Sequence, residues 1–221
     1  MEQPGFRILP RVDTDKALVA LFEGLPASNI SDNMSRMPGT AGLQPYHRPG
    51  AALRGTAFTV RVRSGDNLMI HHALQLARPG DVLVIDGGGC TDRALIGEIM
   101  TSVARSRGIA GWVIDGAIRD AGSFRQNDFP CYARGVCHRG PYKDGPGEIN
   151  VPISVGGMVV NPGDIVVGDQ DGLLAIPQDG VEELIEKARG VLATEAETMR
   201  AMKEGRWNRA FIDALEARCN N

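Results

Sequence analysis

Apolar and polar positions change rhythm several times along the chain, and each rhythm predicts an element. "DTDKALVALFEGL" has apolar residues at helical spacing, and "SNISDNMSRM" opens on a serine suited to capping, so two short helices are expected within residues 14–37. "GLQPYHRPG" reads as a Pro/Gly loop. "AALRGTAFTVRVR" alternates as a strand does, and "DNLMIHHALQLA" returns to helical period before the "RPGD" turn. "VLVIDGG" is short and continuously apolar, which fits a strand buried on both faces. The pattern next predicts a helix over "TDRALIGEIMTSVARSRG", a second buried strand at "IAGWVID", a short helix at "AIRDAGSFRQND" and a strand at "FPCYARG". Strands alternating with helices over short connections point to parallel βαβ units.

Past Gly140 the rhythm changes. "INVPISVGGMVVNPGDIVVGDQDGLLAIP" holds three or four strands separated by Gly, Asn-Pro-Gly and Asp-Gly turns, so an antiparallel, hairpin-rich segment is expected. "GVEELIEKARGVLATEAETMRAMKEG" predicts a long polar amphipathic helix, with a shorter one at "WNRAFIDALEA". No linker divides these segments and no repeat recurs. The expected organisation is one mixed α/β domain over residues 1–221, with helices at 14–37, an α/β core at 51–177 and C-terminal helices at 180–218.

Composition narrows the function. A chain of 221 residues, 43% hydrophobic and 23% charged, is an ordinary globular protein with a core of its own. A net charge of −3 gives no basic footprint for nucleic acid. No apolar run is long enough for a membrane span and the N-terminus has no signal-peptide core, so a cytoplasmic protein is expected. Cys90, Cys131, Cys137 and Cys219 lack a pairing rhythm and read as reduced thiols; Cys131, Cys137 and His138 fit no familiar zinc spacing. The 28 glycines lie between apolar runs and mark tight turns.

Candidate chemistry gathers at the carboxyl ends of the two buried strands, where open α/β sheets bind ligands. One strand delivers Asp86 and Gly87, Gly88, Gly89; the other delivers Asp115, Gly116, Arg119 and Asp120. "GGGCTDRALIG" has neither the dinucleotide glycine pattern nor the Gly-Lys-Ser/Thr of a phosphate loop. A methyltransferase reading lacks a nucleotide-binding glycine fingerprint for the same reason. Gly97, inside a helical stretch, serves close packing; if the helix instead starts there, the free N–H groups of Glu98, Ile99 and Met100 form an anion pocket. Arg119 would then complete a carboxylate clamp. Asp120 and Glu98 would offer oxygens to a hard divalent ion that keeps most of its waters.

"SDNM", "PGDVLVIDGGG", "ALIGEIM", "GIAGWVIDGAIRD", "FPCYARG" and "NPGDIVVGDQDGLLAIP", in this order between about Ser28 and Pro177, resemble the family of class II 4-hydroxy-4-methyl-2-oxoglutarate aldolases and RraA-like regulators of ribonuclease E activity. The resemblance implies a layered β/β/α swivelling fold and a homotrimer or dimer of trimers with sites between subunits. It implies that Arg119 binds the keto-acid oxygens, that Asp120 ligates Mg²⁺ or Mn²⁺, and that backbone at Gly97–Met100, including Ile99, holds the pyruvyl carboxylate. Glu98 occupies the position where aspartate is usual, with twenty residues between it and the Arg-Asp pair, and would hold a metal-bound water as proton relay. Ser123 stands where the family pattern asks for an acid. Glu195 or Glu197 of the tail could reach a neighbour's site, although a solvated helix face accounts for both.

The expected activity is therefore cleavage or decarboxylation of short 2-keto acids, including oxaloacetate, with a divalent metal and Arg119 stabilising a pyruvate enolate. No lysine lies in the site blocks, so a Schiff base has no obvious nucleophile. Expected partners are a small keto acid and further copies of the chain. The alternative from another class is a non-catalytic RraA-like protein that binds a ribonuclease or another protein through its surface.

Overall fold

The computed structural model of the chain describes residues 5–206 and, beyond them, positions 210, 212, 215 and 218. The elements in chain order are β1 (Phe6–Ile8), α1 (Lys16–Ala20), α2 (Ala27–Asp32), β2 (Gln44–Pro45), β3 (Leu53–Val62), α3 (Leu68–Leu76), β4 (Asp81–Ile96) and α4 (Glu98–Ser106). They continue with β5 (Gly111–Ile118), α5 (Ala121–Gln126), β6 (Cys131–Val136), β7 (Gly147–Ile149), β8 (Ile153–Val155), β9 (Met158–Val160), β10 (Ile165–Gly168), β11 (Leu173–Ile176) and α6 (Val181–Lys203). The shorter tail helix expected at 207–217 falls mainly outside the described residues, as does Cys219. No helix among the described residues is long and apolar enough to cross a membrane.

The architecture is mixed α/β, with parallel and antiparallel strands and a C-terminal helix. The main sheet runs β1-β7-β3-β4-β5-β6-β2, with β3, β4, β5 and β6 mutually parallel. One edge of β3 is shared: residues 53–56 pair antiparallel with β10, and residues 60–62 with β7. Every residue of β5 is buried, Asp115 included, as the apolar run "GWVI" predicts for a strand covered on both faces.

Alternate strand residues feed different layers. Phe58, Val60, Leu83, Ile85, Trp112 and Ile114 pack under α3, α4 and α5. Ala57, Val82, Val84 and Val113 turn the other way, onto Ile153, Val155, Met158 and Val160 of β8–β9 and Val166 of β10. Ile165 and Val167, flanking Val166, join Leu174 and Ile176 of β11 beneath Phe22, Ile30 and Val181, Ile185 and Ala188 of α6. The period of two along β10 thus separates two cores, and the expected layering of sheet, hairpins and helices results. The hairpin segment supplies four strands, β8 pairing with β9 and β10 with β11.

Helix starts differ from the sequence reading: the helix expected from Ala117 begins at Ala121, because β5 continues to Ile118. The helix expected from Thr91 begins only at Glu98, because residues 87–96 prolong β4. That strand detours against β5, with register shifts after Asp86, Cys90 and Ala94. The glycines permit the detour: a Cβ on Gly87 would lie 2.7 Å from Leu95 and 2.8 Å from the Asp115 carbonyl, and Gly88 and Gly89 have positive φ. The triple glycine therefore shapes the strand. Likewise α2 starts at Ala27, before the serine expected to cap it, and the Ala27 amide donates to Asp169 at 2.8 Å.

His47 is a buried polar element of this core. Its ring meets Tyr132 edge-on with centroids 5.1 Å apart, and its Nδ1 accepts from the Cys131 amide at 3.1 Å. Burial holds its pKa below the ordinary value, outweighing the backbone hydrogen bonds that act in the opposite direction. As pH falls, the unfolded chain therefore takes up this proton first, near about 6.5. The stability tied to neutral His47 is full above that pH and is lost as pH falls toward the folded value. The melting temperature should be lower at about pH 5.5 than at about pH 7.5, and His47→Asn, which cannot titrate, should narrow the difference. An unchanged difference in the variant would contradict this assignment.

Candidate functional site

The site forms where β4 and β5 end side by side. Ile96 pairs with Ile118, and the Arg119 amide donates to the Ile96 carbonyl at 3.0 Å. Both chains then turn into helices within one residue or two. Gly97 is the N-cap of α4 in extended conformation, and Asp120 is the N-cap of α5 with φ 59° and ψ 35°. A left-handed backbone is unfavourable for most residues, and aspartate is among the few that tolerate it.

That geometry aims Asp120 at the start of the neighbouring helix. Its Oδ2 accepts from the Glu98 amide at 3.0 Å and lies 3.9 Å from Arg119 Nε. A Cβ on Gly97 would stand 2.5 Å from the same oxygen and 3.0 Å from Arg119 Cγ, so only glycine fits between them. The glycine has both roles considered from the sequence: the helix starts there, and the packing is close. Helix geometry leaves the Ile99 and Met100 amides without intrahelical acceptors. Arg119 and Asp120 side chains are each about half exposed, at 45% and 43%.

Gly97, Ile99, Met100, Arg119 and Asp120 line one cleft of about 170 Å³. The same cleft is lined by Asn67, His71, Pro141 and Lys143, which the linear reading missed because they come from α3 and a loop after β6. Asn67 is 3% exposed; its amide nitrogen donates to Leu95 O at 2.9 Å, while its Oδ1 has no partner. This is a buried acceptor behind the cleft wall that no donor of the chain satisfies, which carries a desolvation cost. His71 is at the rim. Partial desolvation first, and then the charge of Lys143, lower its pKa. A lysine thus lines the cleft from outside the site blocks, none of which contains one.

Two expected groups are elsewhere. Glu98 contributes its amide to the Asp120 contact, but its side chain lines a separate hollow with Ser123, Thr101, Ser102, Arg105 and Asn127. The reason is helical: Glu98 opens α4 and Ser123 lies in α5, and both side chains face the groove between those helices. In the tail, Glu195 accepts from Asn29 at 2.8 Å and Glu197 pairs with Arg200 at 3.0 Å, both within the chain.

Among the described residues no three His, Cys, Asp or Glu side chains converge on a point that could hold a metal. Asp120 is the one carboxylate lining the cleft. Such a donor set does not make a cage. It does suit a hard divalent ion that is held by one carboxylate and completes its shell with water and ligand oxygens.

Residues 27–175 match the RraA-like family, described as Aldolase/RraA. A protein of Halalkalibacterium halodurans named "Putative 4-hydroxy-4-methyl-2-oxoglutarate aldolase" is 39% identical over 187 residues, covering 84% of this chain and 89% of that protein. Among solved structures, an uncharacterized protein from Pseudomonas syringae pv. tomato superposes with a TM-score of 0.78 at 27% identity, covering 88% of this chain and 96% of that one. The RNA-processing inhibitor RraA from Thermus thermophilis superposes with a TM-score of 0.62 at 31% identity, covering 68% and 92%.

The crowding at Gly97 gives a direct test. Gly97→Ala should displace Asp120 and Arg119 while leaving circular dichroism unchanged, and should weaken Mn²⁺ binding, read by calorimetry, about tenfold or more. Unaltered Mn²⁺ affinity would show that the contact does not set the carboxylate's position.

Proposed function

The chain belongs to the RraA-like family, and from that premise we propose that its cleft cleaves or decarboxylates short 2-keto acids with the help of a divalent metal. The observation that carries the reading is the convergence of Arg119, Asp120 and the open amides of α4 on one cleft. The family also contains RNA-processing inhibitors, so membership alone does not choose between the activities.

In this reading the substrate carboxylate lies on the Ile99 and Met100 amides, where the helix dipole favours negative charge. Arg119 binds the keto-acid oxygens with its planar fork of donors. Asp120 would hold Mg²⁺ or Mn²⁺, which supplies Lewis-acid stabilisation to charge developing on the keto oxygen. Lys143 offers a second cation at the same cleft, suited to a distal carboxylate such as that of oxaloacetate. At the rim, His71, whose pKa is lowered by partial burial and then by Lys143, can as neutral imidazole take the proton of the substrate hydroxyl during aldol cleavage. Glu98 contributes through its backbone amide, which holds the Asp120 carboxylate. A trimer or a dimer of trimers is the assembly proposed on family membership.

A pyruvate-release assay over a panel of keto acids, with metal or chelator, tests the activity. Asp120→Asn should lower turnover more than about 100-fold, whereas Glu98→Gln should retain most of it. Full activity in excess chelator, or greater sensitivity at Glu98 than at Asp120, would overturn the assignment. His71→Asn should reduce aldol cleavage by about 100-fold while sparing oxaloacetate decarboxylation, which has no hydroxyl proton to remove. Equal losses in both reactions would exclude His71 as the base. Absence of pyruvate from every substrate would leave the inhibitor reading.

A further inference from the structure

Asp66 is fully buried, at 0% exposure, and stands between two segments that wall the cleft. On one side its Oδ1 accepts from the Leu68 amide at 2.9 Å, holding the start of α3, which carries Asn67 and His71. On the other side its Oδ2 accepts from the Asp144 amide at 2.8 Å and the Gly145 amide at 2.9 Å, next to Lys143. Arg63 adds a contact to the same oxygen at 3.2 Å.

The rest of the loop at 140–145 is tied to the same support. The Asn67 amide donates to Tyr142 O at 3.0 Å, and the Tyr142 amide donates to Gly65 O at 2.8 Å. Two guanidinium groups approach the Tyr142 ring, Arg93 4.0 Å and Arg63 5.4 Å from its centroid. Arg93 also donates to Tyr142 Oη at 2.9 Å and to Gly140 O at 2.8 Å. The loop crosses the site itself, since a Cβ on Gly140 would lie 3.7 Å from Arg119 Nη1. It is therefore a strap between the pyruvyl end and the Lys143 end of the cleft.

We propose that Asp66 is a positioning residue that fixes this strap, and through it Lys143, relative to α3 and Arg119. The proposal rests on the keto-acid reading of the cleft. The chemistry needs a carboxylate here: amides arrive from both segments, and only a side chain with two acceptor oxygens and no donor satisfies both. An asparagine would turn an NH₂ group toward an amide N–H on one side, leaving two donors face to face in a buried place. The strap would loosen while Arg119, Asp120 and α4, which rest on β4 and β5, stayed in place.

The test is a mutant cycle on oxaloacetate decarboxylation, with Asp66→Asn, Lys143→Met and the double variant. Asp66→Asn and Lys143→Met should each raise KM about tenfold, the scale of a lost charge-assisted contact, with kcat unchanged or higher, because the distal carboxylate is the group that leaves as carbon dioxide. The double variant should be no worse than Lys143→Met alone, because both changes remove the same interaction. Multiplying losses, or a kcat loss in both backgrounds, would overturn the proposal by showing a general defect. Hydrogen exchange on the parent protein covers the case in which Asp66→Asn does not fold. The Asp144 and Gly145 amides should be strongly protected without substrate, and exchange at unprotected rates would equally overturn it. Since that measurement needs no turnover, it stands apart from the activity assay: an inactive parent sinks the keto-acid reading, and open amides sink the strap.

Discussion

The hydrogen bond from the Glu98 amide to Asp120 is the contact on which the site depends. It closes the gap between two parallel strands that end together and leave in separate helices. Parallel pairing brings the starts of α4 and α5 to the same end of the sheet, and the absence of a side chain at Gly97 lets them meet. Asp120 adopts a backbone conformation that costs most residues about 1–2 kcal/mol. In return its carboxylate and the open amides of α4 point at the same space. A strained, polar junction of this kind stands only on a rigid support. Here the support is a pair of strands buried on both faces, with Trp112 and Ile114 on one side and Val82, Val84 and Val113 on the other.

The layers on either side of the sheet divide the work. The face under α3, α4 and α5 carries the cleft, while the opposite face is occupied by the β8–β9 hairpin and then β10–β11 with α6. Asp115 shows how the second layer is joined to the first: buried at 5% exposure, it pairs with Arg134 of β6 and accepts from the Gly156 amide at 2.8 Å, tying the turn between β8 and β9 to the main sheet. The carboxylate that looks like a site residue in the sequence is thus a structural tie. Its neighbour five positions on is the one that reaches the cleft.

Much of this was legible in the sequence because it is local. The continuous apolar runs marked β4 and β5, the Gly-Gly and Asp-Gly turns marked the β8–β9 and β10–β11 hairpins, and the Arg-Asp pair after a buried strand marked the place of the site; Asn-Pro-Gly instead joins β9 to β10 across two sheets. What escaped was decided by distant partners. Thr91 to Ile96 have helical spacing, yet they pair as strand because β5 offers an edge and Gly87 allows the detour. The serine cap of α2 was displaced by Asp169, far along the chain. Lys143 and His71 belong to no motif; they share a cleft through Asp66, whose buried bonds span 78 and 79 residues of sequence. Glu98 has the right place in the motif, but its side chain takes the direction that the first turn of α4 gives it.

The most direct measurement is anomalous diffraction from crystals of the parent protein soaked with Mn²⁺ and oxalate, a planar mimic of the pyruvate enolate. The account predicts one strong peak beside the Asp120 carboxylate, with oxalate between that peak, Arg119 and the amides of Ile99 and Met100. A peak bound in the hollow of Glu98 and Ser123, or none in the cleft at saturating metal and oxalate, would contradict it.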